Sequence, residues 1–465
     1  MNMINVRRLT VMTFLGAGML SGISAQVSPL QVDTLKETKI PDQWDLQSCI
    51  DYAKEQNITI RKNRITAAST QIDVKTAKAA LFPSLSFSTG HQVVNRPYQE
   101  TSSRVSGSEI ISSNSKTSYN GNYGLNASWT LYNGNKRLKT IQQEKLNNQM
   151  AELDVATSEN NIQESIAQVY IQILYAAESV KVNENTLQVS IAQRDRGQEL
   201  LNAGSIAKSD LAQLEAQVST DRYQLVTAQA TLEDYKLQLK QLLELDGENE
   251  MNIYLPALSD ENVLAPLPTK RDVYISALSL RPEIEASKLN VEASELGINI
   301  AKSSYFPTIS LSAGIGTNHT SGSDFTFGEQ VKNGWNNSIG LSVSVPIFNN
   351  RQTKSAVQKA KLQYETSMLS LLDEQKTLYK TIEGLWLDAN SAQQRYAAAN
   401  EKLKSTQISY ELISEQFNLG MKNTVELLTE KNNLLQAQQE QLQAKYMAIL
   451  NTQLLKFYQG DQLAL

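Results

Sequence analysis

The chain is poor in the residues that mark small, disulfide-stabilised or many-turned domains. Its 465 residues include one cysteine and ten prolines, and 7% of them are aromatic. A single cysteine excludes an internal disulfide framework, and we expect Cys49 to be a small buried apolar residue. Few prolines, in a chain with a mean hydropathy of -0.36, are typical of long polar helices.

An excess of charge of one sign is also absent. The 43 basic and 48 acidic residues give a formal net charge of -5 and are spread along the chain. There is no basic block of the kind that binds nucleic acid or an anionic membrane surface. We therefore expect no nucleic-acid partner.

The one long hydrophobic run of the sequence lies near its start. Arg7 and Arg8 precede apolar residues over 9–20, and small residues follow as far as Ala25. This order predicts an export signal over 1–25. No later run approaches the roughly 18 apolar residues of a membrane-spanning helix, so entry of the mature protein into a membrane would depend on strands.

The remaining sequence is an internal duplication. The segment AKAALFPSLSFSTG at 77–90 recurs as AKSSYFPTISLSAG at 301–314, with seven of fourteen positions identical. GLNASWTLYNG from Gly124 likewise matches GLSVSVPIFNN from Gly340, and the match continues without a gap to NAGSIAKSDL and NLGMKNTVEL. Such self-similarity predicts two copies of one structural unit. We expect a first repeat over 26–245, an inter-repeat linker over 246–270 and a second repeat over 271–465.

Each repeat contains a predicted β-hairpin, at about 84–131 and about 308–347. Along 119–131, with the exception of Gly121, apolar residues alternate with Asn, Ser, Thr and Gly, which is the period of a half-buried strand. A soluble sandwich has the same alternation. The uncharged polar face and the Tyr and Trp residues near the strand ends favour a membrane barrel. Four strands cannot close a barrel, and open edges in lipid are costly, so we expect three copies to pool twelve strands.

Six predicted helices flank these hairpins. The two long ones, of about 65 residues, would span roughly 98 Å at 1.5 Å per residue. The two short helices of each repeat together nearly equal that length, so we expect them to stack end to end along the long helix. Those before the strands end at Phe82-Pro83 and Phe306-Pro307, because proline cannot continue a helix. The predicted ranges are 58–80, 136–201, 207–245, 282–304, 352–417 and 424–458.

Several segments carry a resemblance to a known family. They are WDLQSCIDYAKEQN from Trp44, RPEIEA from Arg281, the two Phe-Pro steps, VPIFNN from Val345 and FNLGMKNTVELL from Phe417. In their order, and together with the duplication and the helix lengths, they resemble the TolC-like outer-membrane efflux family. The resemblance implies a mainly α fold with a membrane β-barrel, in which a trimeric twelve-stranded barrel continues into a long α-helical barrel.

The resemblance also implies a function. It implies a passive channel subunit in the outer membrane, with its helices in the periplasm and outer-membrane lipid around its strands. A periplasmic adaptor protein and an inner-membrane pump, in a tripartite efflux or type I secretion system, are the implied partners. The residues themselves leave open another class of protein, a periplasmic coiled-coil scaffold or an adhesin stalk with a soluble β head.

The site residues that the resemblance implies lie at the two helix turns. Glu426 matches an acidic gate position, whereas Thr429, with Glu430 beside it, stands where the family has a second acid. Lys422 and Asp210 match a basic residue and its acidic partner that tie neighbouring helices together. Acids in the first turn of a helix are also ordinary stabilising placements, and that second interpretation stays open for Asp210 and Glu426.

The same turns are the implied contacts of the adaptor, through Gly204, Ser205, Gly420 and Met421. We expect no catalytic residue, cofactor or metal. His91, predicted in a strand, and His319, predicted in a loop, have no Cys or carboxylate neighbours at ligand spacing. Phosphate-binding loops and nucleophile motifs are absent from the sequence.

Overall fold

The computed structural model describes residues 41–98, 116–246, 251–256, 263–321 and 325–464, and the backbone of 102–106 and 109–113. Gln43–Leu465 form one unit of structure. The expected export signal over 1–25 lies outside the described residues.

Helices and strands follow one another in a similar order in both halves of the chain. The first half contains α1 (Leu46–Gln56), α2 (Ile58–Ala79), β1 (Ser84–Asn95), β2 (Ser102–Ser106), β3 (Glu109–Ser113), β4 (Thr117–Asn133), α3 (Lys136–Asn202) and α4 (Lys208–Leu242). The second half contains α5 (Lys270–Leu280), α6 (Pro282–Ser303), β5 (Thr308–Thr320), α7 (Phe327–Asn333), β6 (Asn336–Ser344), α8 (Gln352–Asn418) and α9 (Thr424–Gln459).

All six predicted helices are confirmed to within three residues at each end. The two long helices, α3 and α8, have 67 residues each, which corresponds to about 100 Å at 1.5 Å per residue. The helices α2 and α6 stop just before the Phe-Pro steps. Since proline lacks an N–H and its ring clashes with the preceding turn, these steps turn the chain from helix to strand.

Two short helices, α1 and α5, were not predicted from the sequence. Each begins at a side-chain cap. Asp45 accepts a hydrogen bond from the N–H of Ser48 at 2.7 Å, and Thr269 accepts one from the N–H of Asp272 at 3.2 Å. Each has 11 residues, a length that is marginal without tertiary packing, so their stability depends on the helices beneath them.

The short helices α4 and α2 meet end to end along α3. Asn57 accepts hydrogen bonds from the N–H groups that begin α2, including that of Thr59 at 2.9 Å. Its Nδ2 donates to the carbonyl of Leu242, the last residue of α4, at 3.1 Å. Asn57 is only 4% exposed. One side chain therefore satisfies free backbone groups at the start of one helix and the end of the other.

The corresponding joint in the second half is built on Arg281, which is 6% exposed. Its guanidinium contacts Glu164 of α3 at 3.1 Å and Glu283 of α6 at 2.8 Å. It also lies 4.2 Å from the ring centroid of Tyr458 at the end of α9. Arg281 therefore connects the end of α9, the start of α6 and the long helix α3, and the expected end-to-end arrangement is confirmed in both halves.

The main hydrophobic core surrounds the middle of α3. Cys49 is fully buried there, as predicted, and burial raises the pKa of its thiol to about 12. The backbone N–H of Trp44 donates to the carbonyl of Asn252 at 2.8 Å, and the backbone carbonyl of Trp44 accepts from the N–H of Tyr254 at 2.8 Å. The hydroxyl of Tyr170 on α3 donates to the carbonyl of Tyr254 at 2.6 Å. The segment before α1 and the inter-repeat segment are thus joined to each other against α3.

The strands form a four-stranded antiparallel sheet in the order β1-β4-β5-β6. The central pair, β4 and β5, comes from different repeats, so the sheet joins the two halves of the chain. At its edges, β1 and β6 each pair with one strand among the described residues. Each edge strand therefore presents unpaired backbone groups to whatever lies beside it.

The register of the sheet separates an apolar face from a polar one. Phe87, Leu125 and Ile315 are directly opposite one another on neighbouring strands, and so share the apolar face. The next row along, on the other face, contains Ser86 and Asn126. Phe87 is 68% exposed in the single chain, so the apolar face has no covering layer within it.

The structure corrects the sequence analysis in three places within the strand region. In the two hairpins predicted at about 84–131 and about 308–347, the connections between the strands are not simple loops but contain the hairpin β2–β3 and the helix α7. His319, predicted in a loop, is in β5 opposite Gly121. The strand β6 ends at Ser344 rather than at about 347, because Pro346 has no N–H to donate to a neighbouring strand.

Replacing Asn57 by alanine should destabilise the joint between α4 and α2. The change removes the N-cap of α2, at a cost of about 1 kcal/mol. It also leaves the carbonyl of Leu242 without its donor, at a further cost of about 1 kcal/mol or more. The unfolding temperature, followed by circular dichroism, should fall further than for the control Asp45→Ala, which removes a cap alone. An equal or smaller fall would contradict this role of Asn57.

Candidate functional site

The two turns that join long and short helices have the same backbone geometry. Gly204 and Gly420 have φ values of 75° and 73°, in the left-handed region that favours glycine. The N–H of Ser205 donates to the carbonyl of Leu200, and that of Met421 to Gln416, both at 2.8 Å. Each long helix therefore ends in a glycine-based cap.

Both turns are accessible. A side chain added at Gly204 or Gly420 would meet no atom within 4 Å, and Met421 is 66% exposed. Ser205 is exposed as well. The four residues that the family resemblance implies as adaptor contacts therefore lie on two similar, open tips at the same end of the helices.

Asp210 lies in the first turn of α4 and bonds to its own helix. Its carboxylate accepts a hydrogen bond from the N–H of Ala207 at 3.0 Å. Ala207, the N-cap residue, has no side-chain oxygen that could accept a hydrogen bond. The cap contact at the start of α4 is therefore the bond to Asp210, the third residue of the helix. Acids are stabilising there because they face unpaired N–H groups. The stabilising interpretation of Asp210 thus has direct structural support.

Glu426 occupies the matching position in α9 and makes more contacts. It forms a capping box with Asn423, whose Oδ1 accepts from the N–H of Glu426 at 2.9 Å while Glu426 accepts from the N–H of Asn423 at 3.2 Å. The Nζ of Lys422 donates to Glu426 Oε1 at 2.6 Å. The hydrogen bond from Lys422, followed by that from the backbone of Asn423, lowers the pKa of the Glu426 carboxyl.

The structure therefore brings Lys422 to Glu426. In the part of the chain that the structure describes, no hydrogen bond or ion pair joins Lys422 to Asp210. Lys422 lies just before Asn423, the N-cap of α9, and pairs with an acid in the first turn of that helix.

Thr429 and Glu430 point in different directions. The hydroxyl of Thr429 donates to the carbonyl of Val425 in its own helix at 2.8 Å, and the residue is exposed. Glu430 accepts from the hydroxyl of Ser409 on α8 at 3.1 Å. Glu430 thus bonds to the neighbouring helix, whereas Thr429 lies on the open side of α9.

Sequence reasoning missed a buried polar group near these turns. Lys431 on α9, Asp221 on α4 and Ser190 on α3, here called the Lys431 cluster, contact one another. Burial lowers the pKa of Lys431, and the carboxylate of Asp221 opposes that shift. A sequence signal did exist, since Lys431 lies four residues after Leu427 and three before Leu434, at a spacing where apolar residues form the buried stripe of a helix.

The two histidines lie far from this site, in the sheet, on either side of Gly121. Their rings pack against Tyr119 and Tyr123, with centroids 5.4 to 5.9 Å apart. Within the described ranges, no three His, Cys, Asp or Glu side chains are grouped to hold a metal ion. None of the described helices is long and apolar enough to cross a membrane.

Known proteins have a similar sequence and fold. The chain is 24% identical over 294 residues to the outer membrane efflux protein BepC of Brucella suis, covering 63% of this chain and 61% of BepC. It is 24% identical over 294 residues to the outer membrane protein TolC of Escherichia coli, covering 61% of this chain and 58% of TolC. The match thus spans less than two thirds of either relative.

A similar fold is found in a crystal structure of CusC, with a TM-score of 0.76, 19% identity and coverage of 90% of this chain and 92% of CusC. The model of the family described as "Outer membrane efflux protein" matches residues 49–244 and 273–460, most of both halves of the chain. The protein therefore belongs to the outer membrane efflux protein family.

Proposed function

We propose that the chain is one subunit of a trimeric passive channel that carries solutes across the periplasm and the outer membrane. The observation that carries the proposal is a four-stranded sheet with two free edges, joined to helical columns of about 100 Å. Energy would come from an inner-membrane pump, with a periplasmic adaptor between pump and channel, in a tripartite efflux or type I secretion system. No catalytic role is assigned to any residue.

The sheet supports closure with two further copies. An edge strand in lipid would leave N–H and C=O groups without partners, each costing several kcal/mol. Pairing β6 of one copy with β1 of the next removes all edges and gives twelve strands, an even number within the range of known barrels. The apolar face, with Phe87, Leu125 and Ile315, would then face outer-membrane lipid and the serine-rich face the pore.

The helices support a second, α-helical barrel below the first. In each half, two short helices extend one column beside a long one, and the joints at Asn57 and Arg281 make that column continuous. Three copies would supply twelve columns around a water-filled tunnel. On this proposal, residues 26–245 and 271–465 are the two structural repeats and 246–270 link them at the middle of the tunnel wall.

The helical tips would form both the adaptor contact and the gate. The turns at Gly204 and Ser205 and at Gly420 and Met421 are open and alike, so each subunit would offer two docking tips. Glu426, brought together from three copies, would form a ring of carboxylates at the periplasmic end of the tunnel. Thr429 would add a polar ring one helical turn further in.

The alternative function, a periplasmic scaffold or adhesin stalk, has no comparable support. A soluble stalk gives no reason for an apolar sheet face that is uncovered in the chain, nor for a match to a channel family along both halves. Reconstitution of the purified protein in planar bilayers is the direct test. Discrete conductance steps from cross-linkable trimers are expected, and a monomer without conductance would reject the channel.

Glu426→Gln should lower the ratio of cation to anion permeability severalfold in that assay. A ring of three carboxylates attracts cations and repels anions in a narrow pore, and the substitution removes the charge while keeping the shape. Glu430→Gln is the matched control, because Glu430 is bonded to Ser409 on α8. Equal effects of the two substitutions would show that Glu426 does not line the constriction.

Lys422→Met should make this selectivity more sensitive to acid. Lys422 lowers the pKa of Glu426, so in the unchanged protein the carboxylate stays charged, and selectivity persists, at pH values below the ordinary glutamate range. Without Lys422 the pKa rises, and protonation abolishes selectivity at a higher pH. Permeability ratios recorded from neutral to acidic pH measure the difference. Superimposable pH profiles would rule out the contribution of Lys422.

A latch between Lys422 and Asp210 of neighbouring copies can be tested by a double-mutant cycle. Asp210→Ala and Lys422→Ala should each raise single-channel conductance, and the double variant should raise it no further, since either change breaks the same contact. Asp272→Ala, which removes a first-turn acid of α5 away from the tips, is the control. If Asp210→Ala leaves conductance unchanged, Lys422 acts through Glu426 alone.

A further inference from the structure

The Lys431 cluster joins α9 to both long and short helices of the first repeat. Lys431, Asp221 and Ser190 are 3%, 2% and 2% exposed. The Nζ of Lys431 contacts the carboxylate of Asp221 and donates to the hydroxyl of Ser190, which donates to the same carboxylate oxygen. Gln217 donates to the other oxygen of Asp221 at 2.9 Å. Both charges are therefore paired, and each is bonded within the protein.

The buried stripes of α9 and α4 that hold the two charges are otherwise apolar near the cluster, whereas α3 contributes the buried Thr186 one turn before Ser190. On α9, Lys431 stands between Leu427 and Leu434, which are 0% and 8% exposed. On α4, Asp221 follows Val218, which is 6% exposed, at the same helical spacing. The two charges thus occupy positions of the buried stripe that otherwise hold aliphatic side chains. Such a position in a helical seam is where one polar residue fixes register and partner, at a cost in stability.

The cluster penalises any other rotation of α9. If α9 turned or slid against α3 and α4, Lys431 and Asp221 would separate while still in apolar surroundings. Breaking a buried ion pair in this way is strongly unfavourable because it leaves uncompensated charges. Leucine residues alone would discriminate less, since neighbouring apolar positions can replace one another in a seam.

The rotation of α9 about its axis determines the direction in which Glu426 and Thr429 face. At 3.6 residues per turn, each residue advances by about 100°, so Glu426 lies roughly 140° around the helix from Lys431, and Thr429 roughly 160°. Burial of Lys431 against the first repeat therefore turns both residues to the opposite side of α9. The exposed positions of Thr429 and of Val425, 57% exposed, agree with this orientation.

The cluster also breaks the symmetry between the two repeats. In the ungapped match of NAGSIAKSDL to NLGMKNTVEL, Lys431 of α9 corresponds to Glu215 of α4, and Asp221 of α4 corresponds to Ala437 of α9. The equivalent positions in the second pairing of the duplicated unit therefore hold Glu215 and Ala437 and form no ion pair. The two tips share a backbone geometry, but only α9 carries a buried lysine at this level.

We propose that the Lys431 cluster is a positioning device that fixes the rotation of α9, so that Glu426 and Thr429 face the tunnel rather than a neighbouring helix. The inference rests on the proposed channel function for the meaning of that direction. Lys431, Asp221 and Ser190 are positioning residues. They act through the orientation of α9 and touch no solute.

Spin-label distances test the rotation directly. In full-length protein with Cys49→Ala, labels at Ser209→Cys on α4 and Thr429→Cys on α9 report the position of α9 against the first repeat, with unlabelled chains added to isolate pairs within one copy. A single narrow distance distribution is expected. Lys431→Met with Asp221→Leu removes the cluster while keeping volume, and should broaden the distribution or add a second distance.

Three further variants separate loss of the cluster from other effects. The exchanged pair Lys431→Asp with Asp221→Lys should restore the narrow distribution. Lys402→Met with Glu440→Leu removes an exposed ion pair between α8 and α9, 2.7 Å long, and should leave it unchanged. If the apolar pair does not fold, as judged by circular dichroism, Ser190→Ala provides a milder change and should give a smaller broadening.

Different results test the positioning role of the cluster and the proposed gate of the channel. A narrow distribution that survives Lys431→Met with Asp221→Leu, or survives Ser190→Ala where that variant alone folds, overturns the positioning role. Unchanged selectivity in Glu426→Gln overturns the gate proposal without affecting the distance result. Where both proposals hold, the apolar pair should also lose selectivity severalfold, toward the value of Glu426→Gln.

Discussion

The helical part of this protein depends on a match in length between each long helix and the two short helices stacked along it. A helix of 67 residues has a stripe of about 100 Å to bury, and no single short helix of the chain is long enough to cover it. Two helices in line cover it only if their facing ends, with unpaired N–H and C=O groups, are satisfied at the joint. Asn57 does this in the first half with one amide. In the second half Arg281 holds the two ends together through ion pairs and a ring contact, without a cap hydrogen bond from its side chain.

The sheet depends on the same duplication in a different way. Because β4 and β5 pair with each other in the centre, each hairpin is stabilised by the other, and the outer strands β1 and β6 are left with free edges. The helical part therefore binds its repeats through side chains buried along the columns, whereas the sheet binds them through backbone hydrogen bonds. The helical part and the sheet thus arise from the same duplication, but different kinds of contact join the two repeats in each.

Much of the fold followed from sequence because its signals are local. Helix ends were readable from Phe82-Pro83, Phe306-Pro307 and the glycines of the turns, and strand faces from strict alternation. Side chains that act over long sequence distances were not readable. The spacing of Lys431 from Leu427 and Leu434 indicates burial, but its partner Asp221 is more than two hundred residues away, so the sequence did not show the pair. The pairing of Lys422 with Glu426, four residues apart, could have been predicted. His319 was misassigned because turn-forming residues follow it closely.

The parallel bridge between Trp44 and Ile253 has a consequence for the order of folding. Trp44 leads the first helix, yet its backbone partners lie beyond the whole first repeat, so the chain must complete that repeat before this contact can close. Local pairing of α3 with α4 needs only a tight turn and is faster, since contacts distant in sequence form late. Until residues 252–254 are made, the backbone of Trp44 and the hydroxyl of Tyr170 lack the partners that those residues supply, so the segment before α1 is fixed against α3 late in folding.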